Sequence, residues 1–293
     1  MRNGEGENLK HSFLITHHSF LLYNSLVSKR LDSPKNPTLK TLAELKERKA
    51  RDTQGRYLIE GSREILRALQ GGEHVLMLLV CPELMDMQRA ESQELEQKAE
   101  EQNVEWIELS KAAFEKLSLR QNPDGVIAVA KIQKKKLADV TLEENALVLV
   151  IDGLEKPGNI GALLRSADAV NIDAVFVSGN GTDLYNPNVI RASMGSLFSR
   201  PTLAVETNEL INFLRSNHFN ILAATPHTNH LYWHEDFTKS TAIVLGTEHE
   251  GLSEEWLEAA TSHVKIPMSG LADSLNVATA GALLLYEALR QRQ

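Results

Sequence analysis

A chain of 293 residues with 42% apolar side chains can form two folded domains, each with its own core. A single cysteine, Cys81 in the apolar run 75–81, excludes an internal disulfide framework and reads as a buried thiol in a reducing cytoplasm; no Cys/His spacing suggests zinc. No apolar run approaches the length of a membrane span, and the net charge of −8 argues against a nucleic-acid partner only as a sum, because the charges are unevenly placed.

Residues 1–28 carry apolar patches at 13–15 and 20–22, but histidines and polar residues interrupt them. They lack the basic–apolar–small order of a signal peptide and are expected to be a poorly ordered extension. His11, His17 and His18 have no acidic or sulfur partners nearby in sequence, so no metal is expected there. From Lys29 to Arg67, eleven Lys/Arg stand against six acids, and Lys131, Lys134, Lys135 and Lys136 form a second basic cluster. Such runs are more often solvated helix faces than nucleic-acid sites and point to RNA only in company with other features.

After a non-helical entry at 33–37, Leu39, Leu42, Ala43 and Leu45 predict a helix over 38–51. A strand at 57–59 ends at Gly61, and Ser62 is placed to cap a helix stopped by Gly71 and Gly72. A buried strand at 75–80, a charged helix at 83–102, a strand at 104–107, a short helix capped by Ser110, a turn at 122–125 and a strand at 126–130 follow. This alternation describes a small α/β domain over 29–136, with a polar linker at 137–145.

The second domain, 146–293, opens with an apolar strand at 146–151, a turn-rich stretch at 152–159 and a helix at 160–170. Further strands are expected at 174–178, 221–224, 242–246 and 263–266, and a closing helix at 274–290 carries small residues at Ala278, Ala280, Gly281 and Ala282. Apolar strands alternating with helices imply a parallel sheet covered on both faces, with its ligand at the carboxyl ends of the strands.

Three segments sit at such ends. The first runs from Asn159 to Arg165, two polar residues on an otherwise small and apolar element. The second is Leu245-Gly246-Thr247-Glu248, continuing to Gly251-Leu252, where a glycine directly after a buried strand allows close approach to the backbone. The third is Ile266-Pro267-Met268, continuing to Ser274-Leu275-Asn276-Val277. Singly, each has a structural explanation: Asn159 or Ser274 as a helix cap, Gly246 as a turn residue. No Gly-x-Gly-x-x-Gly follows any strand, since Gly179-Asn180-Gly181 runs into Thr182-Asp183-Leu184; a dinucleotide site of that kind is excluded.

Together, in this order, the three segments resemble the signatures of the SpoU family of RNA ribose methyltransferases, within the SPOUT superfamily. The resemblance covers 146 to the C-terminus. Leu58-Ile59-Glu60-Gly61 and Pro123-Asp124-Gly125-Val126-Ile127-Ala128 resemble the small ribosomal-protein-like substrate-binding domain that often precedes this catalytic domain. The resemblance implies an α/β chain with a C-terminal parallel-sheet domain tied in a trefoil knot, a homodimer formed through it, and S-adenosylmethionine (AdoMet) as cofactor. Gly246, Ile266 and Leu275, with Leu245 and Met268 beside them, are implied to lie against that cofactor.

Arg165 is the implied catalytic residue. A guanidinium stays protonated, so a clamp on the neighbouring phosphate that also stabilises the developing alkoxide suits it better than a base role. Asn159, Glu248, Ser274 and Asn276 would orient Arg165 and the ribose, and His249 reads as an exposed loop residue. The two-domain layout favours ribosomal over transfer RNA as substrate. The rival readings are a non-catalytic RNA-binding protein, a base methyltransferase on the same fold, and a general α/β nucleotide enzyme.

Overall fold

The computed structural model describes residues 27–179, 181–247 and 250–293. The chain divides into two compact units, one up to Gln133 and one from Lys134 to Gln293. Most of the expected N-terminal extension, including its three histidines, lies outside the described residues, but Val27 and Ser28 belong to a strand.

In the first unit a five-stranded sheet has β1 (Val27–Leu31), β4 (Glu105–Leu109) and β3 (Val75–Val80) parallel, then β5 (Val126–Lys131) antiparallel to both β3 and the last strand β2 (Arg56–Glu60), in the order β1-β4-β3-β5-β2. The single helix expected over 38–51 is two, α1 (Pro37–Ala43) and α2 (Arg48–Gln54), separated by a 3₁₀ turn. Glu47 is extended at the break, and the buried Arg51 guanidinium takes the carbonyls of Leu45 and Lys46, each at 2.8 Å. Lys46 is likewise turned inward, donating to the carbonyls of Lys116 and Ser118, and burial holds its ammonium below the ordinary lysine value. Two cations of the basic run therefore serve the fold, while Lys35, Lys40 and Lys49 face solvent.

Ser62 starts helix α3 (Ser62–Gln70) but does not cap it: the Asp124 carboxylate accepts the Ser62 N–H at 3.0 Å. The charged helix α4 covers only Ala90–Glu101, because the chain first folds tightly at Cys81, where Leu84 and Met85 both donate to its carbonyl. Ser110 caps α5 (Lys111–Leu117) as expected.

The second unit is a six-stranded, wholly parallel sheet in the order β11-β9-β10-β6-β7-β8. Its strands are β6 (Leu147–Asp152), β7 (Ala174–Ser178), β8 (Thr202–Ala204), β9 (Asn220–Ala224), β10 (Thr241–Leu245) and β11 (Ser262–Val264). Every residue of β6, β7 and β10 is buried, as strands covered on both faces require. The helices are α6 (Pro157–Ala169), α7 (Pro187–Ala192), α8 (Thr207–Ser216), α9 (Glu254–Ala259) and α10 (Val277–Arg292).

The stretch 137–145, expected as linker, contributes Leu137 to the core of this unit, with Val140 and Leu142 packed against it. In the closing helix, Gly281 is where α10 meets α6 and β10: a Cβ there would lie 2.4 Å from Leu163 and 2.6 Å from Leu245. Among the described residues no helix is long and apolar enough to cross a membrane.

Candidate active site

The switch in strand order at β6 and β10 opens the carboxyl ends of the second unit's sheet, as doubly wound sheets do. A cavity of about 540 Å³ lies there. All five residues expected against the cofactor line it: Leu245 and Gly246 at the end of β10, Ile266 and Met268 after β11, and Leu275 before α10. Ser274 and Asn276 line it too. Its volume is within the ~300–1,000 Å³ of small-molecule sites, and aliphatic side chains with exposed backbone groups suit a flat adenine.

Gly246 has a sharp requirement. A Cβ there would lie 2.2 Å from the Gly251 carbonyl oxygen and 2.5 Å from Leu252 N. The loop is drawn back onto the strand end by Thr247 N–H donating to the Gly251 carbonyl (2.8 Å) and Gly251 N–H donating in return (3.2 Å). The glycine is thus dictated by the chain's own backbone, and the same tight turn shapes one wall of the cavity.

Asn276 joins two of the three segments. Its carbonyl oxygen caps α10, accepting from Ala278 N at 2.9 Å and Thr279 N at 3.4 Å. Its amide nitrogen donates to Asn159 Oδ1 at 3.1 Å. The cap of the closing helix is therefore Asn276, not Ser274, and Asn159 is fixed beside it.

Arg165 is not part of this cluster. Six residues on an α-helix span ~9 Å and place side chains ~120° apart around the axis, so Asn159 and Arg165 do not share a face of α6. The Arg165 side chain is exposed, lines neither this cavity nor the larger one beside it, and makes no hydrogen bond or ion pair with the described residues. Glu248 and His249 lie outside the described residues.

A larger neighbouring cavity, about 900 Å³, contains Asn159 and shares Lys156 and the wall 250–252 with the first. Its lining is rich in acids, among them Asp152, Glu155, Glu206, Glu254 and Glu255. The smaller, more aliphatic cavity, which gathers all five residues expected against the cofactor, is the better cofactor site despite its size.

Sequence reasoning missed the bracket behind this wall. Asp152, at the end of β6, is buried; its Oδ1 accepts from Ser178 Oγ at 3.0 Å and its Oδ2 from Ser253 N at 3.2 Å. Ser178 Oγ in turn accepts the Trp256 indole N–H at 3.0 Å. A carboxylate closing an apolar strand was a visible signal; Ser178 and Trp256 gave none. Asp152→Ala should leave Ser253 N–H and the Ser178 hydroxyl without their acceptor, costing about 1–3 kcal/mol. A fall in melting temperature with weakened AdoMet binding by calorimetry is expected; unchanged values in both would remove this bracket from the account.

Residues 146–286 match the SpoU rRNA methylase family, and residues 36–128 match the MRM3-like substrate-binding domain. The 23S rRNA (uridine(2479)-2'-O)-methyltransferase of Streptomyces viridochromogenes is 33% identical over 255 residues, 84% of this chain and 86% of that protein. The 23S rRNA (guanosine(2553)-2'-O)-methyltransferase RlmP of Bacillus subtilis strain 168 is 29% identical, over 88% of this chain and 98% of its own. Among solved structures, an RNA 2'-O ribose methyltransferase is 48% identical with a TM-score of 0.76, covering 90% of this chain and 99% of that one. The SpoU methyltransferase AviRb from S. viridochromogenes, in complex with AdoMet, is 30% identical with a TM-score of 0.80, covering 88% and 98%. With relatives matched along both units and the three strand-end segments gathered at one edge of the sheet, this chain belongs to the SpoU rRNA methylase family.

Proposed function

We propose that this protein transfers a methyl group from AdoMet to a ribose 2'-oxygen of ribosomal RNA. The observation that carries the proposal is the single cavity lined by Leu245, Gly246, Ile266, Met268 and Leu275, with Ser274 and Asn276 at the same site. The aliphatic walls and the tight Gly246–Gly251 turn fit AdoMet, which supplies an electrophilic methyl group on a sulfonium. The protein's work is to align the attacking oxygen and ease loss of its proton.

Asn159 and Asn276, locked to each other, position the ribose, with Ser274 beside them and Glu248 as a further orienting group. Arg165, exposed and without a described protein partner, grips the phosphate next to the reacting ribose and stabilises charge developing on the 2'-oxygen. A phosphate oxygen or another acceptor then takes the proton. Ribosomal rather than transfer RNA is favoured by the 23S enzymes among the relatives and by the substrate-binding unit at 36–128.

The catalytic unit carries the trefoil knot of its superfamily in this account and forms a homodimer. Leu283 and Tyr286 are large, exposed apolar residues one turn apart on α10, a face suited to a second copy. The proposed enzyme works in the cytoplasm, where ribosomal RNA is modified. Labelled methyl transfer from AdoMet to ribosomal RNA tests the function. Incorporation into ribosomal RNA is expected; incorporation into transfer RNA instead would reassign the substrate, and AdoMet binding without transfer to either would contradict it.

A further inference from the structure

We propose that the turn at 231–234 is a base-stacking site for single-stranded RNA, with the Trp233 indole as its platform. The proposal rests on the RNA methyltransferase reading of the adjacent cavity. After β9 the chain makes a loop whose first residues, Thr225, Pro226 and His227, line the cofactor cavity. The loop then returns to a second part of the cavity wall: Tyr232 N–H donates to the Lys265 carbonyl at 3.1 Å, and Lys265 N–H donates to the His230 carbonyl at 2.9 Å. Lys265 itself lines the cavity, so Trp233 is one residue removed from a backbone bond to the cavity wall.

The ring is held in place and remains 44% exposed. Its indole N–H donates to His234 Nε2 at 3.2 Å. The Tyr232 ring meets it at 5.2 Å and 64°, and the His234 ring at 6.2 Å and 89°, so neither neighbour stacks parallel on it. A protein-docking hot spot needs a contiguous apolar core, whereas among the described residues the other large exposed apolar ones are Leu271, Leu275, Leu283 and Tyr286, on the closing loop and helix. An exposed indole flanked edge-on by the Tyr232 phenol and the His234 imidazole offers a flat π-face beside polar ring atoms. Single-stranded RNA is recognised through that combination.

Emission from Trp233 provides a direct readout, because the other two tryptophans, Trp106 and Trp256, are fully buried. The full chain with saturating AdoMet is titrated with a single-stranded oligouridylate of about twelve nucleotides, within the span of known single-strand sites. Quenching of the solvent-exposed component is expected, and it should vanish in Trp233→Phe. In methyl transfer to ribosomal RNA, Trp233→Ala should raise KM for RNA about tenfold, with kcat and AdoMet affinity retained, and Trp233→Phe should recover most of the loss.

An emission unmoved by RNA, or a KM unchanged in Trp233→Ala, would overturn the proposal. So would an emission that shifts with protein concentration but not with RNA, since a second copy would then cover the indole. Quenching by RNA in a protein that transfers no methyl group would leave the stacking site standing while the reaction assigned to the neighbouring cavity fell.

Discussion

Arg165→Ala should lower turnover by about 10²–10³ while leaving AdoMet affinity nearly intact. The side chain is exposed, unpartnered among the described residues, and outside the cavity lined by the cofactor residues. Its removal therefore disturbs neither the cavity wall nor the core. A group that acts on charge developing in the transition state shows its loss in kcat and not in ground-state cofactor binding. Arg165→Lys should rescue little, because an ammonium lacks the planar fork that grips two phosphate oxygens. Steady-state kinetics beside calorimetric AdoMet titration check both variants. A lysine variant as active as the parent would remove the clamp role, and a parallel loss of AdoMet binding would move Arg165 to the cofactor.

Gly246→Ala should weaken AdoMet binding by about five- to more than a hundredfold even though it adds one carbon. That carbon would sit 2.2 Å from the Gly251 carbonyl oxygen, a backbone atom held by the Thr247–Gly251 hydrogen bonds. Either the 247–251 turn or the end of β10 must move, and both form the cavity. Overpacking of this kind costs about 1–3 kcal/mol or more, which is roughly five- to more than a hundredfold in affinity if spent at the site. Gly270→Ala is the matched control: a Cβ there meets no atom within 4 Å, and the residue does not line the cavity. Near-parental AdoMet affinity in a folded Gly246→Ala protein would contradict this account of the wall.

Much of the catalytic unit was legible because its strands are continuous apolar runs: 174–178 was read to the residue, and β6, β9 and β10 within one residue at each end. The segment between β7 and β9 was not read. β8 has only three residues and α7 only six, too few for either periodicity to show, and α8 lay beyond the motifs that guided the reading. In the first unit the broken helix around Glu47 was invisible, because the apolar spacing of Leu39 and Leu42 continues unbroken to Leu45 in the 3₁₀ turn. The break goes with the turning inward of a charged residue, Arg51, onto the carbonyls of the 3₁₀ turn five and six residues before it, which apolar spacing does not report.

The cofactor residues were legible as motifs, and their gathering in one cavity follows from the parallel sheet. The Asn159–Asn276 bond was not foreseen, since 117 residues separate the pair and only the fold of α10 against α6 joins them. The six-residue spacing does separate Arg165 from Asn159 around α6 once one helix is known to carry both.

The central claim, ribose methylation, is tested most directly on the product. Alkali cleaves RNA through attack of each 2'-hydroxyl on its neighbouring phosphate, and a methyl group on that oxygen removes the nucleophile. Ribosomal RNA treated with the protein and AdoMet should gain one alkali-resistant linkage at the modified nucleotide. An otherwise identical substrate with that nucleotide in its 2'-deoxy form should accept no methyl group. Labelled methyl entering the deoxy substrate, or a modified linkage that still cleaves in alkali, would contradict the account and assign the methyl to a base.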